Sequence, residues 1–176
     1  MIHIYTGDGK GKTTSALGVA LRFFGWKKRV CMLQFLKSKC LEPGELISLK
    51  SFGKKIKIVR FKGQVHPMFI KGKTPKSYFK LKESIKKGLE LAKRILLSKE
   101  FDLLILDEII NCITEGFITE REILDFLEIV PSQTELILTG RGATKNLIKR
   151  ADYVTLMKDI RHPFKKGILA RKGIEF

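Results

Sequence analysis

A glycine-rich segment near the start of the chain has the residue types and spacing of a phosphate-binding loop. The segment Thr6–Thr14 reads T-G-D-G-K-G-K-T-T, with a short apolar stretch before it and helical spacing of apolar residues after it. Glycines let successive backbone N–H groups converge on phosphate oxygens, and the N-terminus of the following helix favours the same anion. Lys12 adds a positive charge, and the Thr13 hydroxyl can be placed on Mg²⁺.

This loop departs from the general G-x-x-x-x-G-K-T pattern at one position, because Thr6 stands in place of the first glycine. A glycine-rich turn without any ligand is the alternative interpretation. The flanking strand and helix favour a nucleotide-binding loop of the Walker A type. The residues predicted to bind the nucleotide are Thr6, Gly7, Asp8, Gly9, Lys10, Gly11, Lys12, Thr13 and Thr14.

A second segment, Phe101–Glu108, reads F-D-L-L-I-L-D-E and ends an apolar run with two acids, Asp107 and Glu108. This pattern is typical of a Walker B strand, where a carboxylate holds Mg²⁺ directly or through water. Apolar strands often end in acidic turns, so the pattern gains its meaning from the loop upstream. Together the two segments predict a nucleoside triphosphate and Mg²⁺. They leave the reaction open, because a hydrolase, a kinase and a nucleic-acid motor all begin this way.

Alternating strands and helices must position these segments. The predicted strands are Ile2–Tyr5, Arg29–Phe35, Ile56–Phe61, Phe101–Leu106, Glu135–Thr139 and Tyr153–Met157. The predicted helices are Lys12–Phe24, Glu45–Ser51, Lys76–Lys99, Thr119–Ile129 and Thr144–Arg150. Lys62–Pro75 contains two glycines, two prolines and no periodicity, which indicates a long loop. We therefore expect one P-loop domain over residues 1–176, an α/β fold with a mostly parallel sheet and helices on both faces.

The bulk properties bound the class of protein and its surroundings. The net charge of +17 would suit nucleic acid, an anionic membrane or a polyanionic substrate, but a solvated lysine-rich face is the interpretation that we favour. Cys31, Cys40 and Cys112 form no C-x-x-C pair, so we predict small buried hydrophobes, with Cys112 in an apolar turn. The N-terminus has no signal-peptide pattern, and no apolar run reaches the roughly 20 residues that span a bilayer. We expect a cytoplasmic protein without a membrane partner.

Further segments match one known family in the same order along the chain. They are Q-F-L-K at Gln34–Lys37, G-E at Gly44–Glu45, L-D-E at Leu106–Glu108, L-T-G-R-G-A at Leu138–Ala143, A-D-Y-V-T at Ala151–Thr155 and the tail Arg161–Phe176. With these segments and the loop, the chain resembles the corrinoid (cob(I)yrinic acid a,c-diamide or cob(I)alamin) adenosyltransferases, a P-loop family. The T-G-R-G segment and the tail are the specific ones, because other P-loop classes lack them. The threonine at position 6 also fits this family.

The resemblance implies transfer of the 5′-deoxyadenosyl group of ATP to the Co(I) centre of a reduced corrinoid, of the cobalamin or cobinamide type, in adenosylcobalamin biosynthesis. Cobalt would attack the 5′ carbon, and inorganic triphosphate would leave. Lys12, Thr13 and Glu108 are the implied catalytic residues. Thr13 and Glu108 would contact Mg²⁺, with Asp107 as a further candidate. Arg22 matches a nucleotide contact of the family, with an ordinary exposed helical arginine as the alternative.

The same resemblance implies partners and supporting residues. A homodimer is expected, as is a flavoprotein reductase that supplies the electron for Co(I). Supporting roles near the strand ends are implied for five residues, with ion pairs among them as an equally good account: Gln34, Lys37, Glu45, Arg141 and Arg161.

Two features depart from well-known members of the family. An aromatic pair, Phe-x-Trp, follows their third strand and helps to displace the lower ligand of cobalt, whereas the only tryptophan here is Trp26. We hypothesise that Phe61 or Phe69 covers the lower face of the corrin. His66 could approach cobalt, but an ordinary loop histidine is the favoured interpretation. Some members also carry an N-terminal extension that closes over a partner's site, and we expect no such lid here.

Two alternative functions remain from the residues alone. The first is a P-loop ATPase or nucleotide kinase, although a kinase should carry an arginine-rich lid and the sequence shows no such cluster. The other is a nucleic-acid-binding ATPase, which should interleave aromatic and basic residues on an exposed face. The basic helix has only Tyr78 and Phe79, both at its start. We therefore do not expect nucleic acid as a partner.

Overall fold

Six parallel strands form one sheet at the centre of the described part of the chain. The computed structural model describes residues 1–37, 43–49, 53, 55–64, 67 and 74–175. The strands are β1 (Ile2–Thr6), β2 (Val30–Gln34), β3 (Ile56–Arg60), β4 (Leu103–Asp107), β5 (Glu135–Thr139) and β6 (Tyr153–Leu156). Their order across the sheet is β3-β2-β4-β5-β1-β6, and every neighbouring pair is parallel. The prediction of an α/β fold with a mostly parallel sheet is confirmed.

Helices cover both faces of this sheet. They are α1 (Lys12–Gly25), α2 (Gly44–Leu49), α3 (Pro75–Ser98), α4 (Ile109–Thr114), α5 (Glu120–Glu128) and α6 (Lys145–Arg150), followed by a 3-10 helix at Pro163–Lys166. Ala16 and Ala20 of α1 pack on one face of the central strands. Helices α3 to α6 pack on the other face, where Leu81 and Ile85 of α3 are fully or almost fully buried. Two interior strands, β2 and β4, are buried at every position because they have helices on both sides.

Local sequence signals set the starts of two helices. Thr74 caps α3 by accepting a hydrogen bond from the Ser77 N–H, while Pro75 occupies the first helical position, where no N–H is needed. Thr119 and Glu122 form a reciprocal capping box at the start of α5. The Glu122 carboxylate accepts a hydrogen bond from the Thr119 backbone, and this bond is the largest cause of the lowered pKa of Glu122.

The register brings the carboxyl ends of the strands to a single edge of the sheet. Gln34 lies beside Asp107 across the β2–β4 pair and beside Arg60 across the β2–β3 pair. Tyr5 lies beside Thr139 across the β1–β5 pair. Ligands of open parallel sheets bind outside these carboxyl ends. The edge therefore collects the polar side chains that the sequence singled out.

One prediction about local structure was wrong. Cys112 lies in helix α4 and not in an apolar turn. Six residues are too few for helical periodicity to be recognised, and the apolar run Ile109–Ile113 reads equally well as irregular chain. The burial of the thiols is confirmed, because Cys31 and Cys112 are both buried and free. Burial raises the pKa of Cys31 to about 12, and Cys40 lies outside the described residues.

The charged surface agrees with a solvated face. The lysines of α3 that flank its apolar stripe are exposed, among them Lys82 and Lys87. Tyr78 turns inward and stacks on Phe117 at 6.1 Å between ring centroids, which leaves Phe79 as the exposed aromatic residue at the start of this helix. Among the described residues, no helix is both long enough and apolar enough to cross a membrane.

Candidate active site at the carboxyl edge of the sheet

The predicted phosphate-binding loop connects β1 to α1 and is packed tightly on its outer side. The Gly9 N–H donates to the Met157 carbonyl oxygen at 2.7 Å, where the chain leaves β6. A Cβ at Gly9 would approach this backbone to 2.8 Å, so a larger residue would push the loop away. Gly11 precedes the helix with φ 113°, a left-handed conformation that favours glycine. The loop conformation therefore depends on glycines at positions that the sequence pattern identified.

Lys12 is the cation inside this loop. Its ammonium group is almost buried and donates to the carbonyl oxygens of Gly7 at 2.6 Å and Gly9 at 2.7 Å. Burial and, after it, the positive charge of Arg141 lower the pKa of Lys12, while three nearby carboxylates oppose the shift. A bound polyphosphate would bring further negative charge to this ammonium group and would favour its charged form.

Asp107 is the hub of the site and is fully buried. Its Oδ1 accepts hydrogen bonds from the Thr13 hydroxyl at 2.9 Å and from the Thr139 hydroxyl at 2.7 Å. Its Oδ2 forms an ion pair with the Lys37 ammonium group at 3.4 Å. Burial alone would lower the pKa of Lys37, but the carboxylates of Asp107 and Glu108 outweigh it and raise this pKa. Lys37 is therefore paired with Asp107, a residue outside the five with supporting roles, and the role of Lys37 stays a prediction.

Glu108 follows Asp107 in a left-handed conformation, with φ 63°. Its N–H donates to the Thr139 hydroxyl oxygen at 2.9 Å, so this hydroxyl group links β5 to both acids. Burial and the neighbouring Asp107 raise the pKa of the Glu108 carboxyl group, against the opposing charges of Lys37, Lys12 and Arg141. A carboxylate held in this way gains from a cation placed beside it.

The donor set fits Mg²⁺, which prefers a few carboxylate or hydroxyl ligands together with water and substrate phosphates. Thr13 at the start of α1 supplies one such group, and Asp107 and Glu108 at the end of β4 supply two more. The Gln34 side-chain carbonyl oxygen is buried nearby and has no hydrogen-bond partner among the described residues, while its amide group donates to Glu45 at 3.4 Å and Asp107 at 3.5 Å. An orphaned acceptor at this position suits a cation or its water. In the described part of the chain, no group of three or more His, Cys, Asp or Glu residues forms a complete cage for a metal.

The segment Gly140–Ala143 closes the site on the β5 side. The Arg141 N–H donates to Asn111 Oδ1 at 2.6 Å, and the Ala143 N–H donates to the Thr6 hydroxyl oxygen at 3.2 Å. Sequence reasoning missed Asn111 because it lies on the unpredicted helix α4. It also missed Thr139, although this threonine comes directly before the G-R-G segment.

The remaining predicted site residues are more peripheral. Asp8, Lys10 and Thr14 are exposed. Arg22 is exposed in the last turn of α1, and its charge opposes the burial that raises the pKa of Tyr5. Arg161 is not with the other supporting residues, because it lines a cavity of about 330 Å³ between the loop and the C-terminal segment.

The described residues that follow β3 are held in place by packing and by hydrogen bonds. The Phe61 ring lies 5.2 Å from the Phe35 ring, and a Cβ at Gly88 of α3 would approach both rings to about 3 Å. Gln64 is buried, accepts from the Leu36 N–H at 3.1 Å and donates to the Ser84 hydroxyl oxygen at 3.2 Å. One side of the Phe61 ring thus packs against the core. The contact of Phe61 with a corrin stays a prediction. Phe69 and His66 lie outside the described residues.

A solved structure supports the fold. The KaiC-like protein PH0186 from Pyrococcus horikoshii OT3 has a TM-score of 0.52 and 18% sequence identity. The match covers 89% of this chain and 71% of that chain. At this identity the likeness concerns the arrangement of strands and helices.

The sequence comparisons concern the whole chain. Residues 1–176 match the family described as ATP:corrinoid adenosyltransferase BtuR/CobO/CobP. The corrinoid adenosyltransferase of Pseudomonas aeruginosa is 30% identical over 175 residues, which cover 98% of this chain and 82% of that protein. The corrinoid adenosyltransferase of Escherichia coli (strain K12) is 29% identical, in a match that covers 100% of this chain and 85% of that protein. The corrinoid adenosyltransferase of Sinorhizobium sp is 31% identical, in a match that covers 100% of this chain and 80% of that protein. The chain therefore belongs to the BtuR/CobO/CobP family of ATP:corrinoid adenosyltransferases, and its substrates are ATP and a corrinoid.

Proposed function

We propose that the loop Gly7–Thr13 holds the triphosphate of ATP as a leaving group while a reduced corrinoid takes the adenosyl group. Co(I) supplies the electron pair of the new cobalt–carbon bond and becomes formally Co(III). The bond between the 5′ carbon and its oxygen breaks, and the electron pair of that bond leaves with inorganic triphosphate. The protein supplies no nucleophile in this reaction, so its contribution is positioning and charge stabilisation.

One observation carries the proposal: the phosphate loop and the acidic end of β4 are in direct contact. The Thr13 hydroxyl lies 2.9 Å from Asp107 Oδ1, and Lys12 is the preceding residue. A cation, a hydroxyl group and a carboxylate thereby converge at the N-terminus of α1. This constellation binds a polyphosphate and its metal ion, whichever bond of the nucleotide is then broken.

Lys12 is proposed to act on the charge that develops on the departing triphosphate. The ammonium group is almost buried, and its present acceptors are two carbonyl oxygens of its own loop. Phosphate oxygens can replace these acceptors without a change in the backbone. A charge in such a partly dehydrated position stabilises an anion more strongly than one in open water. Arg22, at the other end of α1, is proposed as a nucleotide contact.

We assign Mg²⁺ to Thr13 and Glu108, with Asp107 as a further carboxylate. When bound, the ion would neutralise part of the triphosphate charge and make it a better leaving group. Thr139 holds both acids in place, since its hydroxyl donates to Asp107 and accepts from the Glu108 N–H. This arrangement fixes the orientation of the acids before the ligands arrive.

The family resemblance supports three further proposals about the setting of the reaction. The enzyme works as a homodimer, and a flavoprotein reductase supplies the electron that generates Co(I). The compartment is the cytoplasm, because both reduced cobalt and buried free thiols such as Cys31 and Cys112 suit reducing conditions.

An anaerobic assay with ATP, Mg²⁺ and chemically reduced cobalamin tests the proposed chemistry. The cobalt spectrum should change to that of an alkylcobalt species while triphosphate accumulates in equal amount. Replacing Mg²⁺ with a chelator should slow both signals together. An unchanged cobalt spectrum with ADP and phosphate as products would contradict the transfer and leave an ATPase.

A further inference from the structure

Asn111 is a buried polar side chain that the proposed chemistry does not use. It is the third residue of α4, the helix that begins directly after Glu108, and it is 8% exposed. Its Oδ1 accepts a hydrogen bond from the Arg141 N–H at 2.6 Å. The bond joins two segments that are 30 residues apart in the chain and that both begin at the carboxyl edge, after β4 and β5.

The residue before Arg141 is shaped for this contact. Gly140 has φ 144°, and a Cβ there would lie 2.6 Å from Asn111 Oδ1 and 2.8 Å from the backbone nitrogen of Asn111. Only glycine allows this close approach without moving the backbone. The glycine and the asparagine therefore form one contact, which fixes where the chain turns out of β5.

The other end of the same segment is tied to the phosphate loop. The Ala143 N–H donates to the Thr6 hydroxyl oxygen at 3.2 Å, and Thr6 is buried. A glycine at position 6, as in the general Walker A pattern, would have no hydroxyl group for this bond. The departure from the pattern thus supplies a tether between the phosphate loop and the segment Gly140–Ala143.

Arg141 lies between these two tethers and is exposed. The positive charge of Arg141 contributes to the lowered pKa of Lys12 and opposes the rise in the pKa of Glu108. Its guanidinium group is therefore close enough to interact electrostatically with both side chains. A guanidinium group has a planar set of donors that matches phosphate oxygens, but it binds well only when its backbone is held in the right place. The two tethers hold that backbone.

We propose that Asn111 is a positioning residue for the polyphosphate site, which acts by fixing the backbone of Arg141 so that the guanidinium group faces the triphosphate. This inference rests on the proposed function, because it presupposes that triphosphate binds on the loop Gly7–Thr13. Thr6 is the matching tether at the other end of the segment. Neither residue needs to touch the nucleotide for this role.

The test measures triphosphate affinity by calorimetry, and kcat with the KM values of ATP and corrinoid by the anaerobic assay. Asn111→Ala should weaken triphosphate binding and lower kcat by about tenfold to a hundredfold, the scale expected when a remote change misplaces a catalytic group. The KM of corrinoid should stay unchanged.

Combination with Arg141→Ala separates positioning from a general effect on folding. If Asn111 acts through Arg141, Asn111→Ala should cost little more in the Arg141→Ala background. Equal losses in both backgrounds, or a parallel rise in the KM of corrinoid, would overturn the inference. Should Asn111→Ala fail to fold, Thr6→Val removes the other tether at nearly constant volume and should give the same selective loss.

The failure of this inference is distinguishable from failure of the proposed function. Wild-type protein that does not bind triphosphate, with Lys12→Ala indistinguishable from it, would overturn both. Wild-type protein that binds triphosphate through Lys12, with Asn111→Ala and Thr6→Val equal to wild type, would overturn the positioning role alone.

Discussion

The carboxyl edge of the sheet has two sides that hold their residues by different means. The nucleotide side contains Thr13, Asp107 and Thr139, and the β3 side contains Phe61 and Gln64. On the nucleotide side, the reactive groups hydrogen-bond to each other, as Thr13 and Thr139 do with Asp107. On the β3 side, the described residues are anchors. Phe61 packs on Phe35, and Gln64 bridges the backbone after β2 to α3.

This difference predicts which step of the reaction a substitution on each side will affect. A change on the nucleotide side alters a group that we propose to contact the polyphosphate or its metal, so it should act on chemistry directly. A change on the β3 side loosens the start of a loop and should act on the corrinoid through that loop. Substitutions on the two sides should therefore differ in which kinetic constants they change.

Lys12→Ala should lower kcat by about a hundredfold to a thousandfold, the usual cost of removing one charge-stabilising group from an active site. The KM of corrinoid should stay near the wild-type value, because the Lys12 ammonium group hydrogen-bonds to carbonyl oxygens of the phosphate-binding loop. The anaerobic assay supplies both numbers. Lys87→Ala, an exposed lysine of α3, removes the same charge and should behave as wild type. An equal loss in both variants would point to net charge as the cause.

Glu108→Gln should weaken Mg²⁺-dependent ATP binding by about tenfold or more, since one carboxylate ligand is lost. Burial and Asp107 raise the pKa of Glu108, so in wild type the proton competes with Mg²⁺ at a higher pH than for an ordinary glutamate. The binding contribution of Glu108 is therefore present above this raised pKa and lost as the pH falls through it. Glu108→Gln lacks this contribution, so its ATP affinity should fall less than that of the wild type over the same pH range. Titration calorimetry at a series of pH values measures this, and identical acid sensitivity of both proteins would refute the assignment.

Gln64→Met should raise the KM of corrinoid severalfold, by about threefold to tenfold, and leave the KM of ATP unchanged. The substitution leaves the Leu36 N–H without its acceptor, which costs about 1–3 kcal/mol of stability and frees the start of the loop after β3. Ser84→Ala is the matched control, because it removes the bond from the Gln64 amide at 3.2 Å and keeps the bond from the Leu36 N–H. A rise in the KM of ATP with Gln64→Met would mean that the two sides are not separate.

How much of this could be predicted follows from how the residues are connected. The phosphate loop and the end of β4 were predictable because their functional residues are consecutive and their spacing reflects backbone geometry. The parallel sheet was predictable because buried strands have continuous apolar runs. Gln64 was not predictable, since its partners Leu36 and Ser84 lie 28 and 20 residues away and no local pattern marks such a bridge.

Asn111 and Arg161 show two other limits of the sequence. Helix α4 has six residues, so its apolar run carried no recognisable period and its one buried asparagine received no role. Arg161 belongs to a motif shared with the family, but a motif gives no direction for the side chain. The structure places it on the C-terminal side of the phosphate loop, away from Gln34 and Lys37.

The smallest effect concerns stability and compares two helical glycines. Gly88→Ala places a Cβ 2.7 Å from Phe35 and 3.0 Å from Phe61, and such overpacking costs about 1–3 kcal/mol, more than the helix gains from alanine. Gly18→Ala in α1 meets no atom within 4 Å and should stabilise by up to about 1 kcal/mol. Chemical denaturation of the two variants should therefore give changes of opposite sign in the free energy of unfolding. If both variants are stabilised, the Phe61 ring can move aside at little cost. Phe61 would then be free to cover the lower face of the corrin, and the β3 side would no longer be only an anchor.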